Sequence, residues 1–312
     1  MKAFLDAAQT VIFARQLEEI DGQLYDVKYA KLEALELVSA KALNPGAESY
    51  TYRQYDARAI AKFSSNYANG SPRADVSGLE FTAFVKSCRQ SFGFNVQEIR
   101  AAAMAGLPLD AMRAMAARRG INEALNAVAL QGNAEFGLPG LFSLSSTNTV
   151  TIPNGAVGAS PLWSTKSGDE IVADMVACID KIPTVTLEVE NPKRLLMSYS
   201  RLRFIMGKRL NTTGAGAPIA GGGDRTVLEQ IKQVRPGVEV RGALLLDTAG
   251  AGSTQRMMAY DPDRTNMEWL LPVPFESFPP QLQGMEWVIE CHARAGGVVL
   301  RYPLTVCYAD GI

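Results

Sequence analysis

LPLDAMRAMAARRGINEALNAVALQGNAEFGLPG, residues Leu107–Gly140, carries the strongest helix signal in the 312-residue chain. Gly106 interrupts what precedes it. Pro108 suits a first helical position, where its missing N–H has no intrahelical partner, and Asp110 sets a negative charge at the positive end of the helix dipole. The run that follows is free of proline and rich in Ala, Met, Leu, Arg and Glu, all good helix formers; Gly120 is its one weak point. Leu109, Met112, Met115 and Ala116, then Ile121, Leu125, Val128 and Ala129, recur at three- and four-residue steps and predict one apolar stripe. Gly132 sits where a left-handed C-cap is wanted. A helix over 108–131 would run about 36 Å at ~1.5 Å per residue, long enough to be a spine. Gly137-Leu138-Pro139-Gly140-Leu141 after it predicts a rigid, hydrophobic turn.

Upstream, the alternation changes to the two-residue period of strands. Tyr50, Tyr52, Gln54 and Asp56 fall on one side of a run from Glu48 to Ala59, with Thr51, Arg53, Tyr55 and Ala57 on the other. A turn-rich stretch, Ser64–Gly78, leads to a second run over Leu79–Val96. Two such runs around Asn-Gly and Ser-Pro predict a long hairpin. Both of its faces are half polar, so it has no core of its own and needs a surface to lie on. Gly93–Ala105 predicts a short helix leading to the spine, and Asn44-Pro45-Gly46 a turn. The amino terminus, MKAFLDAAQTVIFARQ, predicts an amphipathic helix with Phe4, Ala7, Ala8, Val11 and Ile12 on one face.

Downstream, Ser143–Ser160 reads as a long connection. Thr165 or Ser167 can cap a helix over Gly168–Ile182, whose apolar face is Ile171, Met175, Cys178, Ile179 and Ile182. A buried strand over Leu195–Ser198, a helix over Ser200–Leu210, a loop over Asn211–Asp224, a helix over Thr226–Gln233 and a strand over Val238–Asp247 predict a small α/β unit. Met285–Ala293 and Gly297–Tyr308 alternate on either side of Ala295-Gly296-Gly297. They predict a closing antiparallel hairpin packed on the spine.

Composition and motifs exclude several functions. A net charge of −1 does not suit tight phosphate binding, and no apolar run approaches the ~20 residues of a membrane span. Cys88, Cys178, Cys291 and Cys307 have no metal or redox spacing and read as reduced, buried thiols. His292 is the only histidine, so a Ser-His-Asp site would have to use it. Alternation groups it with Glu290 and Arg294, opposite Trp287, Ile289 and Cys291, a solvated or interface position. The Gly214–Gly223 loop lacks the Lys-Ser/Thr ending of a phosphate loop and does not fit GxGxxG, so it reads as a surface or pore-edge loop. Glu18-Glu19 and Asp169-Glu170 suit solvated faces or helix dipoles. Arg118-Arg119 and Lys208-Arg209 suit solvated faces, with an acidic neighbour or DNA as alternatives. These patterns give no catalytic, cofactor-binding or metal-ligating residues, and no cofactor.

The order of arm, long hairpin, spine helix, α/β insertion and closing strands resembles the major capsid proteins of tailed bacteriophages, the HK97-like fold. FARQLEEIDGQLYDVKYAKLEALELV (Phe13–Val38) and EALNAVALQGNAEFGLPGLF (Glu123–Phe142) carry the resemblance most closely, and it covers nearly the whole chain. It implies an α+β fold with an N-terminal arm over 1–45 and an extended β-hairpin E-loop over 46–80. A P-domain over 81–163 and 276–312, with spine helix 108–131 and an antiparallel sheet, and an α/β A-domain over 164–275 complete it. It further implies a virion head protein, assembled in the bacterial host cytoplasm into hexamers and pentamers of an icosahedral shell enclosing dsDNA without sequence-specific binding. A portal protein at one vertex, scaffold and decoration proteins are the implied partners, with no membrane. Because the chain starts almost at the arm, a separate scaffold, or none, is implied. Lys62 is a candidate for the Lys–Asn cross-link of some members. An encapsulin-like shell around a protein cargo is the alternative, and a soluble α/β enzyme a distant one.

Overall fold

The structure is a computed structural model that describes residues 28–58, 75–106, 109–156, 160–210 and 225–312. Residues 32–312 make one unit. Along it run α1 (Ala34–Leu37), β1 (Ala40–Lys41), β2 (Ser49–Arg58), β3 (Asp75–Asn95), α2 (Val96–Ala105) and α3 (Leu109–Leu130). Then come β4 (Gly132–Asn133), β5 (Leu138–Pro139), β6 (Asn148–Thr151), α4 (Gly168–Thr186), β7 (Arg194–Ser198), α5 (Tyr199–Gly207) and α6 (Val227–Val234). The rest is strand: β8 (Glu239–Ala243), β9 (Arg256–Tyr260), β10 (Met267–Leu270), β11 (Val273–Ser277), β12 (Gln281–Gln283), β13 (Glu286–Gly296), β14 (Val298–Leu300) and β15 (Val306–Asp310). The expected amino-terminal helix, the hairpin tip over 59–74, Pro108 and the 211–224 loop lie outside the described residues.

α3 is the expected spine, 22 residues and so about 33 Å long. Its buried row is Ala117, Ile121, Leu125 and Ala129, a strict four-residue ridge, with Leu130 beside it. This ridge lies on the sheet face made by Cys88, Phe92, Cys291, Ala293 and Ala295. The amino-terminal half of the predicted stripe differs: Met112 and Met115 are exposed, and it is Arg113 between them that meets the end of β3, at the Gly93 carbonyl and the Phe94 ring. At Gly120 the helix comes close to β3; a Cβ there would stand 2.5 Å from the Gln90 amide oxygen. Gly132 has φ +80, the left-handed cap expected of it. The turn that follows leaves no room for a side chain at Gly140, where a Cβ would stand 2.1 Å from the Gly132 nitrogen.

The closing hairpin does not form. β13 pairs antiparallel with β3 over its whole length, from Glu286↔Asn95 to Gly296↔Val85, in a five-stranded sheet ordered β11-β13-β3-β2, with β12 on β13. β14 pairs with β10, and β15 lies between β6 and β9 in a second five-stranded sheet, β6-β15-β9-β7-β8. At Gly296 and Gly297 the chain leaves the first sheet for β14, in a three-stranded sheet ordered β1-β10-β14; a Cβ on Gly297 would fall 2.4 Å from the Pro139 ring. The expected connection over 143–160 therefore contains a strand, β6, parallel to the last one. α4 covers this second sheet with Ile171, Met175, Cys178, Ile179 and Ile182, all buried as expected, against Leu195, Met197, Met257, Ala259 and Cys307. Ser167 caps it in a full capping box with Glu170. The strand expected over 238–247 ends at Ala243 and continues as a turn of 3₁₀ helix.

Candidate assembly surfaces

β2 and β3 form the expected hairpin, Tyr52 opposite Phe81 and Arg53 opposite Glu80, and it leaves the body with one strand, β3, 21 residues long. At ~3.3 Å per residue that strand spans roughly 70 Å. The alternation read from the sequence appears as geometry: Tyr50, Tyr52 and Phe81 stack on one face, centroids 6.3 and 5.2 Å apart. The base is fixed by charge. Lys41 Nζ donates to the Tyr50 hydroxyl at 3.0 Å and lies 3.3 Å from Glu268 Oε2, which Arg301 also holds. Burial alone pushes the Glu268 carboxyl up, but the bonds from Arg301 and Lys41 outweigh it and keep the group below the usual carboxylate range. The Tyr52 hydroxyl donates to the Leu300 carbonyl at 3.2 Å. Between hairpin and body a groove of about 320 Å³ is lined by Tyr52, Phe81, Pro139, Leu144 and Leu300.

A second fixed point lies at α1. Asn126 Oδ1, on the spine, accepts from the Glu33 and Ala34 amides at 3.0 and 2.9 Å, serving as cap for a helix that has no side-chain cap of its own. The Glu33 carboxylate accepts from the Tyr199 hydroxyl at 2.7 Å and the Leu244 amide at 3.2 Å. Tyr260 and Arg194 donate to the Leu37 and Glu36 carbonyls. A third joins the spine's exit to the second sheet: Arg256 pairs bidentately with Asp310 at 2.6 and 2.7 Å, donates to the Phe142 carbonyl and lies 4.4 Å above the Tyr308 ring. Tyr308 in turn donates to the Leu141 carbonyl at 2.6 Å. Burial raises the Asp310 carboxyl, but Arg256 and the Ala251 amide outweigh it and hold it low.

Sequence reasoning missed one buried ion pair. Lys166 Nζ lies 2.6 Å from Asp174 Oδ2, which also accepts from Trp163 Nε1 at 3.1 Å, all three side chains fully buried. Burial lifts the Asp174 carboxyl despite the lysine. A Lys eight residues before an Asp on a helix's apolar side carries no sequence signal of pairing. Here it fastens the 160–167 segment to α4.

The residues singled out in the sequence do not converge on one site. His292 lies on the sheet face away from the spine, opposite Arg89 and Glu276, with Nδ1 4.0 Å from Glu276 Oε2. Arg118 stacks on Phe275, and Arg119 pairs with Glu123 at 2.7 Å. Lys208 sits over the Phe204 ring, and the Arg209 backbone bridges to Thr226. Glu170 is occupied as a cap: its carboxyl is lowered by bonds from the Ala156 and Ser167 amides and the Ser167 hydroxyl. All four cysteines are free thiols, Cys88 half-buried and the others buried. A cleft of about 700 Å³ lies between the end of α4 and residues 234–238, and Arg235 holds its Asp180 at 2.5 Å. Among the described residues no group of His, Cys, Asp and Glu can hold a metal ion. Glu18, Glu19, Lys62 and the Gly214–Gly223 loop lie outside the described residues.

What the geometry does offer is surface: a projecting hairpin and fixed points that orient it. Comparison with known proteins agrees. No curated protein matches the chain. Among solved structures, the capsid of Myoviridae phage XM1 is similar at 18% identity and TM-score 0.82, over 97% of this chain and 99% of that one. A chain from Mycobacterium phage Adephagia is similar at 11% identity and TM-score 0.60, over 94% of each. The capsid of a native GTA particle is similar at 10% identity and TM-score 0.60, over 97% and 99%. These likenesses show that the fold is the HK97-like shell fold. The family model described as major capsid protein matches residues 60–312. The chain therefore belongs to the major capsid protein family, and its role is structural, as a self-associating subunit of a phage head shell, not enzymatic.

Proposed function

We propose that this subunit closes, as hexamers and pentamers, an icosahedral shell around double-stranded DNA that it holds without sequence-specific contacts. The family match over 60–312 carries the reading. The hairpin supports it: β2 and β3 run out from the body with exposed residues on both faces, an arrangement that gains stability by burying area on a neighbour. A net charge of −1 suits a container filled by a motor rather than one that binds phosphates tightly. In this reading residues 1–45 form the arm, 46–80 the E-loop, 81–163 and 276–312 the P-domain, and 164–275 the A-domain. A portal at one vertex and scaffold or decoration proteins are the partners, and assembly takes place in the bacterial cytoplasm. Many modest, repeated contacts suffice, because multivalency makes the closed shell stable.

Negative-stain electron microscopy and size-exclusion chromatography of the purified chain test this. Uniform shells, or rings of five and six, are expected. A monomer or dimer that stays so when concentrated overturns it.

A further inference from the structure

Asp174 is the charged residue on the buried face of α4, set among Ile171, Met175 and Cys178. Lys166 meets it from the turn before the helix, where the Thr165 and Lys166 amides donate to the Leu162 and Trp163 carbonyls. Both side chains are sealed from water, at 1% and 2% exposure, with Nζ 2.6 Å from Oδ2. The lysine stem lies against Gly155; a Cβ there would stand 2.9 Å from Lys166 Cγ. Trp163 Nε1 donates to the same carboxylate oxygen at 3.1 Å.

Two opposite charges held in an apolar interior lose more hydration than their attraction readily returns. Moving one proton from Nζ to the carboxylate cancels both charges and leaves an amine against a carboxylic acid. The surroundings favour that state at the acid: burial lifts the Asp174 carboxyl despite the lysine, and the nearby Glu170 charge adds to the lift. Glu170 itself is held low by bonds from the Ala156 and Ser167 amides. An amine and an acid in fixed contact behave as reactants at very high effective concentration. With bulk water excluded, the hydrolysis that would reverse their condensation lacks its reactant. When Nζ attacks Cγ, negative charge develops on Oδ2, where Trp163 Nε1 already donates. Oδ1 then departs with two protons from Nζ as water, and a Cγ–N bond replaces the Cγ–O bond. An ammonium and a carboxylate thus become one amide and one water, with no oxidant or activating group consumed.

We infer that Lys166 and Asp174, eight residues apart in one chain, are joined by a side-chain amide. The link fastens the 163–166 turn to α4 and removes both charges from the interior. The whole site lies in a single subunit, so the inference stands apart from the shell reading, and either can fail alone.

Intact-mass spectrometry of the wild-type protein, denatured after ageing in its folded state, tests the link. A mass one water below that of the sequence is expected, in free subunits and in shells alike. In the tryptic map, cleavage after Lys166 should be lost, and the missing water should fall within 166–174. Lys166→Arg, whose guanidinium keeps the charge but does not form the amide, should restore the full mass. Wild-type protein at full mass, with trypsin cutting after Lys166, overturns the proposal. So does a missing water that maps elsewhere or persists in Lys166→Arg.

Discussion

At the scale of single residues, the side chains that matter most are those that satisfy main-chain groups at a distance in sequence. Asn126 accepts from two amides of α1, 92 and 93 residues away. Asn126→Ala leaves both without that partner and should cost the unassembled subunit ~1–2 kcal/mol, read as a lower urea midpoint. Asn126→Asp keeps the acceptor and should stay close to wild type. Asp310 sets an acid limit. Its folded carboxyl titrates below the unfolded value near 4, so the Arg256 pair stabilises fully above that value. The contribution is lost as pH falls through the folded one. Asp310→Asn should destabilise by roughly 2 kcal/mol at neutral pH and give a flatter acid limb in unfolding against pH. An unchanged acid limb would assign the effect to other carboxylates, Glu268 first.

At the scale of elements, backbone space decides what is tolerated. Gly140 and Gly137 stand three residues apart in one turn, yet their substitutions should differ sharply. A Cβ on Gly140 meets the backbone of Leu130, Gln131 and Gly132 within 2.6 Å, whereas Gly137 faces open space at φ +65. Gly137→Ala should therefore cost only ~1–2 kcal/mol, the strain of a left-handed residue. Gly140→Ala must displace β4 from β5 and should lower the thermal midpoint far more, with loss of soluble subunit. Comparable midpoints for the two would refute the packing argument. α4 was the most legible element, because its cap, capping box and apolar face all lie within one local stretch, Ser167–Ile182. The spine was legible as a helix but not as a packing unit. Periodicity marks Met112 and Met115 as apolar without saying whether the same chain covers them.

At the scale of the whole molecule, the hairpin is separable from the core. Among the described residues of the hairpin, neither core cluster includes any of 49–58 or 75–84. Deleting Ala59–Ser77 should leave a soluble subunit with near-native circular dichroism that fails to close shells. Normal particles from that deletion would remove the hairpin from assembly.

The sequence by itself determined the long helices and the strands of the hairpin, where the left-handed glycine at 132 falls, and, through Phe13–Val38 and Glu123–Phe142, the resemblance to a shell protein. These are local properties: propensity, capping and period act over a few residues. Only the tertiary structure decided which strands pair. Alternation over 285–293 and 297–308 predicts strands but not partners. The expected hairpin gave way to β13 on β3, some two hundred residues away in the chain, and to β15 in the second sheet. A strand's ladder is satisfied equally by any edge of matching register, and the buried face that selects among them exists only once the core has formed.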